Sequence, residues 1–154
     1  MIDTAHNPPT LLGLQIIEEV FAHIGIAPWW EHHSVSLVSD TPWYVEIRIS
    51  NPAITTRSVT IQVSDFGLSV DIMSWSETFE WAVQDYAIER AGIIDVLKTV
   101  LTGSMEVTRY GQSLAVLRFY RDGIMCYKRR ILSGLCISPL RQSSRNSGPI
   151  VSLR

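Results

Sequence analysis

The stretch "VTIQVSDFGLSVDI", residues 59–72, decides the fold. Val59, Ile61 and Val63 alternate with Thr60 and Gln62; Leu68, Val70 and Ile72 then alternate with Ser69 and Asp71. Successive side chains of a strand point to opposite faces, so this alternation predicts two strands with one dry and one wet face. Asp65 and Gly67 lie between them and belong to the residue types that turns favour. Closing the hairpin over 64–67 sets Val63 opposite Leu68, Ile61 opposite Val70 and Val59 opposite Ile72. Every apolar side chain then shares one face, and a slip of one residue would expose them all.

Working outward, "WYVEIRIS", residues 43–50, alternates in the same way. It predicts Trp43, Val45, Ile47 and Ile49 facing inward and Tyr44, Glu46 and Arg48 facing outward. Before it, "NPPTLLGLQIIEEVFAHIG", residues 7–25, reads as a helix. Asn7 is placed to cap, Pro8 suits the first turn, and Gly25 is a stop. Leu12, Ile16, Val20 and Ile24 recur every four residues and make a buried stripe. After the meander, "SWSETFEWAVQDYAIERAGIIDVLKTVLTG", residues 74–103, predicts one long helix. Ser74 and Glu77 form a capping box, Phe79, Val83, Tyr86, Ile93 and Leu97 its buried side, and Gly103 its end. Gly92 reads as a point of close approach to a sheet.

Three strands close the body: "SMEVTR" (104–109), "QSLAVLRFYR" (112–121) and "IMCYKRRIL" (124–132). Asp122-Gly123 is the strongest hairpin signal in the chain. The expected fold is α+β: an antiparallel sheet of about six strands in the order α-βββ-α-βββ, with two helices packed on one face. Residues 1–136 form a single domain. Residues 137–154, rich in Ser, Arg, Pro and Gly, form a tail or an extended strap.

Composition narrows the function classes. The 154 residues are 46% hydrophobic and 18% charged, so the chain can bury a core without metal or disulfide staples. The net charge of −2 does not argue for nucleic acid. Charge is unevenly spread: the first two-thirds is acidic, the last hairpin is basic, and the segment from Ser133 onward holds Arg141, Arg145 and Arg154 with no acid. Cys126 and Cys136 are too few for a disulfide framework. The start "MIDTAHNPPT" has neither a basic region nor an apolar run, and no apolar stretch approaches the roughly 20 residues of a membrane helix. These features predict a cytoplasmic protein with no membrane partner.

The final sheet carries the most function-relevant expectation. Two-residue turns at Asp122-Gly123 and Tyr110-Gly111 pair Tyr120 with Met125, Arg118 with Tyr127, Val107 with Leu114 and Met105 with Val116. That register leaves Leu117, Phe119, Ile124 and Cys126 on the outer face, ringed by Arg121, Lys128 and Arg130. Apolar groups inside a charged rim have the composition of a binding patch. Cover by the C-terminal segment and pairing in a homodimer are the competing explanations of such a face.

Other chemistry is thin. "WWEHH", residues 29–33, offers adjacent histidines, and an extended segment would send His32 and His33 to opposite faces, so no metal or other cofactor is expected. Trp29, Trp30 and Glu31 form a contact loop, since tryptophan dominates interface hot spots; one of the two rings is expected to cap the first helix. Glu46 and Asp71 sit on the wet face of the first strands. No nucleophile elbow, phosphate-cradling loop or dinucleotide fingerprint is present, so no catalytic residues are assigned. Nucleic-acid binding would draw on the basic hairpin with Phe119, Tyr120 and Tyr127 interleaved, but the acidic remainder opposes it.

The capped first helix, the "WYVEIRIS" meander, the "SWSETFEW" helix and the final hairpin resemble, by architecture over residues 10–132, small immunity proteins of bacterial polymorphic-toxin and contact-dependent inhibition systems. The resemblance implies a non-enzymatic protein that neutralises a cognate toxin by occlusion. The residues expected to bind the protein partner are Trp29, Trp30, Glu31, Phe119, Arg121, Lys128 and Arg130; outward Tyr44, Glu46, Arg48 and Asp71 form a third candidate surface. The alternatives are a ligand-binding protein or enzyme with a pocket between helix and sheet, and a nucleic-acid binder using the basic hairpin.

Overall fold

The structure, a computed structural model, describes residues 5–51, 54–72, 77–111, 114–132, 142–147 and 150. It is an α+β fold with two antiparallel sheets. Helix α1 (Pro8–His23) precedes β1 (Val35–Thr41), β2 (Tyr44–Asn51), β3 (Ile54–Ser64), β4 (Gly67–Ile72) and β5 (Glu77–Ala82), which form one sheet in sequence order. Helix α2 (Tyr86–Thr102) leads into β6 (Ser104–Tyr110), β7 (Leu114–Arg121), β8 (Ile124–Leu132) and β9 (Gln142–Ser147). These pair in the order β8-β7-β6-β9. Helix α1 lies over β3 and β4; α2 packs on α1 and against β5, β7 and β8. The segment expected as a strap therefore supplies a fourth strand to the second sheet, antiparallel to β6.

The deciding hairpin has the register its alternation requires: Val63 faces Leu68, Ile61 faces Val70 and Val59 faces Ile72. Val45, Ile47 and Ile49 share that face, and all nine are buried. Helix α1 ends in a Schellman motif. The Gly25 N–H donates to the Ala22 carbonyl and the Ile26 N–H to that of Phe21, with Gly25 at φ 78°. Its start differs from expectation, because the Asn7 side chain makes no cap hydrogen bond and reaches instead to Asp65.

Four expectations are corrected. Residues 77–82 are strand, not helix: Phe79 and Trp81 face the core opposite Val70 and Leu68, while Thr78 and Glu80 face out. The spacing of Phe79, Val83 and Tyr86 imitates a helical stripe, but Thr, Phe and Trp favour a pleated surface. Ser74, the cap expected for the longer helix, lies outside the described residues. Strand β1 went unread because a bulge between Leu37 and Ser39 breaks its alternation. Gly92 is exposed and touches only Glu89; the glycine of close approach is Gly13, where a methyl would collide with Val63. Trp43 precedes β2 in the β1–β2 turn and is 60% exposed rather than inward.

The register of the second sheet also differs, and this decides the expected patch. Tyr120 faces Met125 as predicted, but a bulge then shifts Phe119 opposite Tyr127 and Leu117 opposite Arg129. On the other side the β6–β7 loop is longer than two residues, so Val107 faces Leu117 and Met105 faces Phe119. Leu117 and Phe119 are both fully buried. The Phe119 ring lies 6.1 Å from Tyr127, which lies 5.3 Å from Phe79, so one aromatic chain joins the two sheets.

Candidate functional site

Phe119 is thus a core residue and cannot anchor a partner. Trp29 is also removed from the expected contact set: it is buried and stacked on Phe21 at 5.6 Å, capping the first helix. Trp30 stands edge-on to it at 5.7 Å and is half-exposed, with Glu31 exposed beside it. His32 and His33 do not diverge; their rings stack at 4.5 Å just after the short 3-10 turn Trp29–Glu31. Burial, and then the neighbouring His33, holds the His32 imidazole below its ordinary pKa. Among the described residues, no three His, Cys, Asp or Glu side chains gather into a metal-ligating group.

The remaining basic candidates lie on the second sheet. Arg121 donates to Asp95 at 2.9 Å and to the Cys126 sulfur at 3.5 Å. Lys128 and Arg130 are exposed on β8. Beside them Arg118 donates to Thr108, Glu106 lies 3.6 Å from Arg118, and the Tyr120 hydroxyl donates to Glu106. Much of the charge on this face is therefore already engaged. The 3-10 turn carrying Trp30 and Glu31 packs against β1 of the other sheet, so the two expected contact sets do not form one surface.

The structure instead assembles a groove of about 840 Å³ on the outer face of the five-stranded sheet. Its floor is a cross-strand row in which Gln62 faces Ser69 and Ser69 faces Glu80. Its rim comes from two turns: Trp43 between β1 and β2, and Phe66, 88% exposed, between β3 and β4. Tyr44 lines it and donates to Glu46 at 2.6 Å. Burial, then the Glu46 carboxylate and the charge of Asp71, push the Tyr44 hydroxyl up to about 12. This surface belongs to the third set named from the sequence: Tyr44, Glu46, Arg48 and Asp71. It lies outside the sheet rather than between sheet and helix.

The first turn of α1 holds both rim turns. The Asn7 N–H donates to the Pro42 carbonyl at 2.7 Å, next to Trp43. The Asn7 side-chain amide and the Thr10 hydroxyl each donate to Asp65 at 2.7 Å, next to Phe66. These bonds, Asn7 first, hold the Asp65 carboxyl below its ordinary pKa. The Asp65 N–H donates to the Trp43 carbonyl, joining one turn to the other, and the Val83 N–H donates to the Phe66 carbonyl. The two rim turns are therefore tied to α1 and to each other within the fold.

Sequence reasoning missed both rim aromatics. The available signal was an apolar ring at the tip of each tight turn, where polar residues are usual. Among the described residues no helix is long and apolar enough to cross a membrane. No family model matches this chain, and neither the curated proteins nor the solved structures contain a significant match to it.

Proposed function

We propose that this protein is a non-enzymatic protein-binding module whose docking face is the outer face of the five-stranded sheet. The observation that carries this reading is the pair of exposed aromatics, Trp43 and Phe66, held on turns that α1 ties in place. Large exposed rings cost solubility and contribute nothing to a core, so their retention on an ordered rim favours contact with another macromolecule. The architectural resemblance to immunity proteins gives the reading its concrete form. The partner is a toxin domain, and the mechanism is occlusion by a rigid surface, acting in the cytoplasm. The burial of Leu117 and Phe119 deprives the rival face on the second sheet of its two central apolar anchors, although Ile124 there is exposed.

The test compares the tagged full chain with Trp43→Ala/Phe66→Ala in capture from an extract of the native organism. Both side chains are exposed, so the double variant is expected to keep its stability within about 0.5 kcal/mol per site. The expected result is one protein retained by the natural chain and lost by the variant. Equal retention by both overturns the choice of surface, and retention lost only on changing Lys128 and Arg130 moves it to the basic hairpin.

A further inference from the structure

The groove has a charge character that its shape alone does not reveal. Among its described lining residues there is no lysine, arginine or histidine, while Asp65 and Glu80 are both present. Glu46 faces Gln62 and so extends the floor row onto β2, and Asp71, facing Thr60, lies in the next row of the same outer face. The described cation of that face is Arg48, 3.7 Å from Glu46. The other carboxylates have partners within the fold: Asp65 accepts from Asn7 and Thr10, Asp71 from Thr78, and Glu46 from Tyr44. Glu80 is exposed and has no hydrogen bond or ion pair among the described residues.

An unpaired carboxylate in a groove rimmed by two exposed rings has a specific chemical complement. A cation over an aromatic face is attracted by the ring quadrupole, and more strongly where water is displaced. A guanidinium adds a planar fork that grips a carboxylate through two parallel N–H donors, and it stacks on rings better than a hydrated ammonium does. An anionic ligand would meet only repulsion here, and a wholly apolar one would bury Glu80 and Gln62 unsatisfied.

We propose that the groove receives a basic segment of the partner protein, with an arginine side chain seated against Trp43 and Phe66 and its guanidinium on Glu80. This rests on the docking reading above and names what that surface recognises. Arg48, 3.7 Å from Glu46, partners the carboxylate at the β2 end of the row and leaves Glu80 at its β5 end for the incoming cation. The segment lies across the Gln62–Ser69–Glu80 row, where the Ser69 hydroxyl donates to Gln62 Oε1 and so orients the Gln62 amide N–H groups for its backbone carbonyls.

The test uses capped hexa-arginine, hexa-lysine and hexa-glutamate peptides, titrated into the isotopically labelled full chain and followed by NMR. Hexa-arginine is expected to move the Trp43 indole and the amides of Phe66 and Glu80, to bind more tightly than hexa-lysine, and to leave hexa-glutamate without effect. Glu80→Gln is expected to weaken hexa-arginine about tenfold, the scale of a charge-assisted hydrogen bond. Trp43→Ala is expected to weaken it about threefold. Glu18→Gln, on the exposed side of α1, is expected to change neither. Equal losses in Glu80→Gln and Glu18→Gln, or shifts that map elsewhere, overturn the proposal in favour of diffuse electrostatics. Capture of the native partner separates the two readings. Loss in the aromatic double variant with full capture by Glu80→Gln overturns the arginine anchor and leaves the docking face; full capture by both overturns the docking face as well.

Discussion

Replacing Phe119 with alanine tests the register on which the choice of surface depends. Phe119 is fully buried, beside Tyr127 at 6.1 Å and beyond it Phe79. Removing a buried ring forfeits its transfer free energy and leaves a cavity, together about 3–5 kcal/mol. The lost aromatic pairing makes up about 0.5–1.5 kcal/mol of that. A domain of this kind has only about 5–15 kcal/mol of stability, so the loss is severe. In a 154-residue chain it lowers Tm by about 6–20 °C. Urea unfolding followed by circular dichroism reads the change as a lower midpoint at unchanged slope. Lys128→Ala, exposed on the same sheet, is the control and is expected to stay within about 0.5 kcal/mol. A cost for Phe119→Ala below about 1 kcal/mol, the range of surface substitutions, would mean the ring lies outside. The register, the buried aromatic chain and the demotion of the basic hairpin would then all fail together.

Two glycine changes in the helices should have opposite signs. Gly13→Ala drives a methyl into Val63 and is expected to cost about 1–3 kcal/mol, whereas Gly92→Ala meets only Glu89 and is expected to stabilise by about 1 kcal/mol, both read by urea unfolding. The Asp65 carboxyl is held below 3.8, so the unfolded chain binds the extra proton first and stability falls as pH drops through that range; Asp65→Asn should flatten this part of the acid limb. Tyr44 and Tyr86 are both pushed up to about 12, chiefly by burial. Phenolate absorbance should therefore lag behind that of free tyrosine, and the stability they contribute, intact below about 10, should be lost as pH rises through about 12.

Legibility tracked the regularity of each strand. The β3–β4 hairpin could be read to the residue pair, and β2 to its inward face, because these strands alternate cleanly and the β3–β4 turn is tight. The helix end at Gly25 was legible because a φ of 78° there favours glycine, and that at Gly103 because a Cβ would collide with the Thr99 and Tyr120 carbonyls. The failures all sit at breaks in period. The β1 bulge hid a strand, and the bulge between Phe119 and Tyr120 together with the longer β6–β7 loop turned Leu117 and Phe119 inward. Strand β5 was lost because the spacing of Phe79, Val83 and Tyr86 imitates a helical stripe that runs on into α2. Trp43 and Phe66 were not legible as a site, since their proximity depends on Asn7 and Asp65 meeting across the chain. Pattern reports faces within an element; it does not report which distant turns a helix terminus will hold side by side.

The division of labour around Asp65 has an evolutionary corollary. Asn7, Thr10 and Asp65 secure the two loops, while the rings they display add nothing to folding. Mutational drift at positions 43 and 66 therefore meets little resistance from folding stability. On the proposed docking reading, what those loops recognise can be rewritten one loop at a time on an inherited frame.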